Sequence, residues 1–284
     1  MGKLSANGRR AAGSLVRRLT KMTRKLVRLN EARILEALKS FGPNQSETLF
    51  VHSSLSACGY VDGGPATVIK ALRGWASDKT LLAMPTHTWS YPRPSGETPV
   101  YDVESTASLV GAITDFFWRQ SSVTRSLHPS HSLACIGANS DRFCIDHERR
   151  ETPCGEQTPY EHMATSNSSV LMFGATMDSY TLFHTAEDAA KVPYLYKPEK
   201  LVLKSKMKDG SILDVPSWRQ DMDVPRRFEE MADWLEQEKL LKRLTLGRGE
   251  LLFIPRADLL HERVVKELRR DPLLLVAQSA RQSV

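Results

Sequence analysis

Short apolar runs alternate with helical patterns along most of the chain. Short apolar runs bounded by turn residues predict buried strands at 48–52, 80–84, 132–137 and 170–174. Helical spacing of apolar residues predicts helices at 31–41, 66–75, 108–118 and 181–190. Asn30 precedes the first helix as an N-cap, and Pro65 stands where the second begins. Strands that alternate with helices predict α/β layers around one sheet.

The remaining segments modify this picture. Residues 199–216 form a hairpin pattern around Lys208-Asp209-Gly210, which favours a mixed sheet over a purely parallel one. Residues 225–270 are predicted to be mostly helical, with one strand at 250–254. The proline-rich segment 90–105 is predicted to be a long loop, and long loops in compact domains are usually functional.

The positive charge is concentrated at the N-terminus. The chain carries a net charge of +6, and residues 1–28 contain nine Lys or Arg and no acid, so the remainder carries −3. Apolar residues recur at helical spacing within this segment, at Leu15, Leu19, Met22 and Leu26. We therefore predict a basic amphipathic extension over 1–29, followed by one domain over 30–284. The extension either packs on the domain or on a second copy in a homodimer, or it binds an anionic membrane surface weakly.

Composition excludes several classes of protein. No apolar run approaches eighteen residues, and no signal-peptide pattern begins the chain, so we expect a cytoplasmic protein. No base-reading or stacking motif accompanies the basic segment, so we expect no nucleic-acid partner. The four cysteines, among them Cys154, form no CxxC pair, and we expect free thiols in a reducing compartment.

His184 and Glu187 are the most informative pair. Three residues apart on a predicted helix, they share one face. A carboxylate beside an imidazole fixes its tautomer and stabilises the imidazolium, which suits a general base. The same spacing also fits a surface ion pair, metal ligands, or a core histidine with satisfied nitrogens. The spacing alone leaves these interpretations open.

Two polar segments could bind anions or amides. Residues 125–132 combine an arginine, hydroxyls and two imidazoles, although a polar turn before a strand is the simpler interpretation. Residues 51–55 lie at a strand end, where open α/β sheets bind ligands. Neither segment matches a GxGxxG or P-loop pattern, so neither identifies its ligand alone.

The order of these segments resembles the aminoglycoside N-3-acetyltransferase family, the antibiotic acetyltransferases. The resemblance covers roughly residues 31–270. The motifs that carry it are VHSSL (51–55), GYVDGG (59–64), MPTHT (84–88), RSLHPSHS (125–132), PCGEQTP (153–159) and LFHTAE (182–187).

The resemblance implies a layered α/β/α sandwich around a mixed central sheet. It implies acetyl-CoA or a similar acyl-CoA as donor, an amine as acceptor, and no metal. By motif position, the catalytic pair would be His184 and Glu187. The donor-binding residues would be His52, Ser53, Ser54, Leu55, Arg125 and Ser126. The acceptor-binding residues would be Thr86, His128 and Glu156.

The expected chemistry follows from the acceptor. An amine with a pKa of roughly 8 is largely protonated at pH 7 and must lose a proton before it attacks a thioester. His184 would take that proton while Glu187 holds the ring. Backbone N–H groups of residues 52–55 are candidates for binding the oxyanion, and no covalent enzyme intermediate is required.

The acceptor and the class of the protein stay open at this point. Trp89, Tyr91 and Arg93 follow the MPTHT motif, where acidic residues would suit a polycationic aminoglycoside, so an amino sugar fits equally well. A non-catalytic CoA-binding relative is one alternative. A metal-dependent hydrolase is another, since three histidines can ligate zinc: His128, His131 and His184.

Overall fold

The computed structural model describes residues 27–282. The predicted basic helix through Leu15 and Leu26 lies outside these residues. Among the residues described, no helix has the length and apolar character needed to cross a bilayer. The strands are β1 (Arg28–Leu29), β2 (Thr48–Ser53), β3 (Tyr60–Val61), β4 (Leu81–Pro85), β5 (Val100–Asp102), β6 (Thr124–Arg125), β7 (Leu133–Ile136), β8 (Ser168–Phe173), β9 (Tyr196–Lys206), β10 (Ile212–Gln220), β11 (Lys242–Leu246) and β12 (Gly249–Ile254). The helices are α1 (Glu31–Lys39), α2 (Pro65–Trp75), α3 (Ala112–Trp118), α4 (Ser140–Cys144), α5 (Pro159–Thr165), α6 (Leu182–Ala190), α7 (Met231–Gln237) and α8 (Ala257–Arg270).

In the described part of the chain, a seven-stranded sheet has the order β11-β12-β8-β2-β4-β7-β6. The three middle strands β8, β2 and β4 are parallel, and Phe50 of β2 lies between Val170 and Ala83. The flanking strands β12 and β7 pair antiparallel to them. The middle strands are buried on both faces, which explains their continuous apolar sequences.

Helices cover both faces of this sheet. Alternate residues of β2 point to opposite sides, so Phe50 packs with Met172 in one cluster while Leu49 and Val51 pack in the other. The first cluster includes side chains of α5, α6 and α8, and the second includes side chains of α1, α2 and α3. The predicted α/β/α sandwich around a mixed sheet is therefore confirmed.

The N-terminal boundary and the hairpin differ in detail from the prediction. Strand β1 pairs in parallel with β3, and Leu29 is fully buried, so the last residues of the predicted extension 1–29 pack with the domain. The hairpin β9–β10 forms, but it belongs to a separate three-stranded sheet with β5. The central sheet is mixed because of β7 and β12, not because of this hairpin.

Three local predictions were wrong. The segment 90–105 contains the short strand β5, which gains hydrogen-bonding partners in β9. The helix predicted over 108–118 begins only at α3, because Gly111 has a φ of 118° and interrupts the helical backbone. The segment 225–270 contains a second strand, β11, which a tight turn at Gly247 joins to β12.

The carboxyl ends of β2, β4 and β8 lie at the same edge of the sheet because these strands are parallel. Gly174 follows β8 there with a φ of +65°, and a Cβ on it would lie 2.9 Å from the backbone oxygen of Ser54. The glycine therefore allows the chain after β8 to approach the loop after β2 closely.

We expect Gly174→Ala to lower the free energy of unfolding by about 2–5 kcal/mol. Left-handed backbone costs about 1–2 kcal/mol without glycine, and forced contacts add about 1–3 kcal/mol. Gly210→Ala is the matched control, since Gly210 has a φ of +85° but nothing within 4 Å of the added Cβ. Urea titrations that give equal losses for the two variants would contradict the role of close approach at Gly174.

Candidate active site

A cavity of about 590 Å³ opens at the carboxyl edge of the parallel strands. His52 and Ser53 line it from the end of β2, and His87 lines it from the segment after β4. Tyr180 and His184 line it from α6 and the turn before that helix. Its size lies within the range of small-ligand pockets.

One member of the predicted pair, His184, lines this cavity, and it contacts the other, Glu187. His184 Nδ1 is 2.7 Å from Glu187 Oε2, and the two side chains are 12% and 0% exposed. An ionised carboxylate only accepts hydrogen bonds, so Nδ1–H donates to Glu187, and in the neutral form of the ring Nε2 has the lone pair. The ring can therefore accept a proton from a ligand in the cavity.

Arg226 completes the pair and was not predicted. Its Nε donates to Glu187 Oε1 at 3.1 Å, and its Nη1 donates to the carbonyl oxygens of Asp221 and Val224. Its guanidinium lies 4.8 Å from the centre of the Tyr194 ring. Two adjacent arginines follow Pro225, and no local pattern distinguishes the one that turns inward.

These contacts determine the charge of Glu187. Burial alone would raise its pKa, but the hydrogen bond and charge from His184, together with Arg226, outweigh burial and hold the pKa below its ordinary value. The carboxylate is thus ionised at neutral pH, and it is fully paired.

Three further imidazoles line the cavity, at His52, His87 and His131. Burial lowers the pKa of His52 and of His131 to about 3, and it lowers the pKa of His87 well below the ordinary value. All three rings are therefore neutral at pH 7. They offer hydrogen-bonding nitrogens to a ligand, not positive charge.

Tyr160 fixes the tautomer of His87. Its hydroxyl donates to the carbonyl oxygen of His131 at 3.0 Å, so at 2.9 Å it accepts from His87 Nε2–H. Nδ1 of His87 is left as an acceptor in a ring that lines the cavity. Helix α5, which carries Tyr160, was not predicted, although Thr158 caps it and Pro159 begins it.

Two of the predicted donor-binding residues reach the cavity. Among the described residues, His52 Nε2 and Ser53 Oγ have no hydrogen-bond partner although both atoms are buried. Ser54 and Leu55 follow in the next turn but do not line the cavity, and Ser54 N–H already donates to Phe173 O at 2.8 Å. Unpaired polar atoms that line a cavity suit a bound ligand.

Other predicted ligands lie in the scaffold. Arg125 donates from Nε and Nη2 to Thr86 Oγ1 and O at 3.1 Å, and its guanidinium lies 4.2 Å from the centre of the Trp118 ring. It lines a separate depression of about 390 Å³. The Ser126 hydroxyl donates to His147 Nδ1 at 2.9 Å, because His147 Nε2–H donates to Pro153 O. Neither Arg125, Ser126 nor Thr86 lines the active-site cavity.

The structure also places the remaining acceptor candidates outside this cavity. His128 is fully buried, its ring stacks at 4.8 Å on that of His147, and its Nδ1 accepts from His131 N–H. Glu156 is exposed in another depression, beside Asp188. Neither residue lines the cavity that holds His184.

The described histidines and cysteines favour neither metal ligation nor thiol chemistry at this site. Within residues 27–282, no group of three or more His, Cys, Asp or Glu side chains is arranged to hold a metal ion, and His128, His131 and His184 form no such group. All four cysteines are free and buried, which confirms the predicted free thiols. Burial raises the pKa of Cys154 well above its ordinary value, so this residue is a thiol, not a nucleophilic thiolate.

Two curated relatives are similar in sequence. The SPbeta prophage-derived aminoglycoside N(3')-acetyltransferase-like protein YokD of Bacillus subtilis (strain 168) is 34% identical over 179 residues, which cover 57% of this chain and 65% of that protein. The matched residues thus span less than two thirds of the length of YokD. Aminoglycoside N(3)-acetyltransferase IV of Salmonella sp is 28% identical over 250 residues, which cover 87% of this chain and 90% of that protein.

Two solved structures share the fold. A variant of aminoglycoside acetyltransferase AAC(3)-IVa in complex with a gentamicin aligns with a TM-score of 0.74 and 26% identity, covering 90% of this chain and 98% of that one. AAC-IIIb in a binary complex with CoASH aligns with a TM-score of 0.73 and 20% identity, covering 86% and 97%.

The sequence profile described as aminoglycoside 3-N-acetyltransferase matches residues 50–266. This segment is more than half of the chain, and it contains the cavity, the His184–Glu187 pair and Arg226. The resemblance predicted from the ordered motifs is confirmed: the chain belongs to the aminoglycoside 3-N-acetyltransferase family.

Proposed function

We propose that the protein transfers an acetyl or similar acyl group from acyl-CoA to an amine of an amino sugar or aminoglycoside. The observation that carries this proposal is the buried chain Arg226–Glu187–His184, which ends in a basic nitrogen at a ligand-sized cavity. The gentamicin and CoASH complexes of proteins with this fold support the two substrate classes.

His184 moves the proton in this mechanism. His184 Nε2 takes one proton from the bound ammonium, the resulting neutral amine attacks the thioester carbonyl carbon, and a C–N bond forms, after which the nitrogen loses its second proton to water. The tetrahedral intermediate then collapses, the C–S bond breaks, and the imidazolium returns the proton to the CoA thiolate. The products are the amide and CoASH. Proton transfer of this kind is worth about 10²–10⁴-fold in rate.

Glu187 and Arg226 act through His184. The ionised carboxylate stabilises the imidazolium that forms when the ring takes the proton, and it holds the neutral ring in the tautomer that leaves Nε2 free. Arg226 holds the carboxylate in its ionised form, because a buried carboxylate without a cation becomes protonated. Arg226 is therefore a positioning residue for the base.

Ser53 is the proposed oxyanion donor. Ser53 lines the cavity, and its buried Oγ has no hydrogen-bond partner among the described residues, so the hydroxyl is available to donate to a developing negative charge. The N–H of Ser54 already donates to Phe173 O. It is therefore removed from the backbone N–H groups of residues 52–55 that were predicted to bind the oxyanion. Since no histidine is hydrogen-bonded to Ser53 in the described structure, we propose direct transfer without an acyl-enzyme.

Cellular location and association remain proposals from the sequence. We propose a cytoplasmic enzyme, with the basic segment 1–28 packed against the domain or a second copy, or weakly bound to anionic membrane. The complete catalytic pair favours an enzyme over a non-catalytic CoA-binding relative.

CoA is expected to raise the melting temperature of the purified protein, because it binds the folded state. A hundredfold excess over the Kd stabilises by about 2.7 kcal/mol, and each kcal/mol raises Tm by roughly 2–4 °C in a chain of this size. AMP serves as the control ligand, since it lacks the thiol arm. Calorimetry that detects no CoA binding at millimolar concentration would refute the acyltransferase proposal.

We expect His184→Ala to lower kcat about 10²–10⁴-fold while CoA binding persists. Release of the CoA thiol, measured at saturating acceptor, gives kcat, and calorimetry gives CoA affinity. His162→Ala is the control, because His162 is exposed on α5 and does not line the cavity. Retention of more than a tenth of wild-type turnover would show that His184 is not the base.

Arg226→Met is expected to move the acid limb of the kcat/KM profile to higher pH. In the folded protein the pKa of Glu187 lies below its ordinary value of about 4.3. Ionised Glu187 therefore stabilises the folded state above that pH, and this stabilisation is lost as pH falls through the folded-state pKa. Without Arg226, burial raises this pKa. Breaking the buried pair also costs about 3–5 kcal/mol of stability, so rates are measured well below Tm.

Arg227→Met is the matched control for this experiment, because Arg227 pairs with the exposed Glu230. Arg226→Lys retains a cation and is expected to restore part of the wild-type pH profile. An acid limb that Arg226→Met leaves in place would contradict the positioning role, whatever the loss of stability.

A further inference from the structure

The mouth of the active-site cavity carries an apolar rim formed by Trp89, Leu109 and Met222. All three residues line the cavity, and they are 46%, 59% and 69% exposed. Large apolar side chains with this exposure, gathered at one opening, are typical of a surface that covers an apolar part of a ligand. The rim is continuous with the cavity that holds His184.

Trp89, one residue of the rim, has a strained backbone conformation. Trp89 has a φ of 42°, in the left-handed region that bulky residues rarely adopt. The N–H groups of Thr88 and Trp89 both donate to Ser130 O, at 3.1 and 3.2 Å, and hold the turn in place. A strained conformation held by its surroundings favours a functional role for the indole at the mouth.

The cavity offers little negative charge. In the described part of the chain, Asp178 is the only carboxylate that lines it, and its Oδ1 already accepts from Glu229 N–H at 3.0 Å. Glu187 is paired with His184 and Arg226. The Arg219 guanidinium lies 5.0 Å from the centre of the ring of Tyr91, a residue that lines the cavity, so a cation is present close to the lining.

A polycation would be poorly matched by these charges. One ammonium group could pair with Asp178, but each further ammonium group would lose water without gaining a second carboxylate from the described residues that line the cavity. Neutral imidazoles and aromatic rings instead suit the hydroxyls and the apolar faces of an uncharged ring.

We infer that the acceptor carries a single amine on a sugar-like ring, next to an apolar substituent that lies against the rim of Trp89, Leu109 and Met222. This inference rests on the proposed N-acyltransfer and specifies its acceptor. An alkyl or aryl glycoside of an amino sugar has this chemistry, whereas an aminoglycoside does not.

Thiol release from acetyl-CoA, measured with the full chain, tests the inference. The acceptors are glucosamine, its octyl glycoside below the micellar concentration, and gentamicin. We expect kcat/KM for the octyl glycoside to exceed both other values at least tenfold. The double variant Leu109→Ser, Met222→Ser should lose this advantage, so that kcat/KM falls at least tenfold more for the octyl glycoside than for glucosamine, while CoA affinity persists.

Ile212→Ser is the matched control, because Ile212 is 52% exposed and does not line the cavity. Higher kcat/KM with gentamicin than with the octyl glycoside would overturn the inference and leave the proposed function in place. Weaker CoA binding by the double variant would assign the rim to the donor and also overturn it. Thiol release with none of the amines, although CoA binds, would refute the proposed function itself.

Discussion

The buried carboxylate of Glu187 imposes the constraint on which the site depends. A fully buried charge is tolerated only when it is paired and hydrogen-bonded on both oxygens. One partner comes from the same turn of α6, and the other, Arg226, comes from 39 residues later in the chain. Arg226 is in turn held by carbonyl oxygens just beyond β10, so this carboxylate links α6 to the segment that follows the hairpin.

Features that depend on local periodicity were predictable from the sequence. The buried strands β2, β4 and β8 are short apolar runs, and the three-residue spacing of His184 and Glu187 places them on one helical face. Arg226 and Tyr160 were missed because their roles arise only from tertiary contacts. The hairpin was recognised from its turn, but nothing local states which sheet a hairpin joins.

A similar limit explains why several residues of the matched motifs lie away from the cavity. A shared motif identifies a position and not its contacts, and the polar groups of residues 125–132 largely satisfy one another. Ser126 and His147 are linked to the backbone of Leu133 and Pro153, which meets the requirement that buried polar atoms find partners. This network supports the cavity wall from behind and carries His131 at its surface.

The chain from the end of β10 to Arg226 contributes both to the cavity wall and to the hydrogen bonds of Glu187. Gln220, the last residue of β10, and Met222 line the cavity, and Arg226 donates to the Glu187 carboxylate only a few residues later. The Arg226 guanidinium donates to the carbonyl oxygens of Asp221 and Val224. These hydrogen bonds fix the chain between the cavity wall and Arg226, so the two cannot move independently. Under the proposed function, a substitution in this segment that reshapes the wall for a new ligand would also disturb the ionisation of Glu187, so that selectivity and turnover would be epistatic and compensating changes would have to arise together.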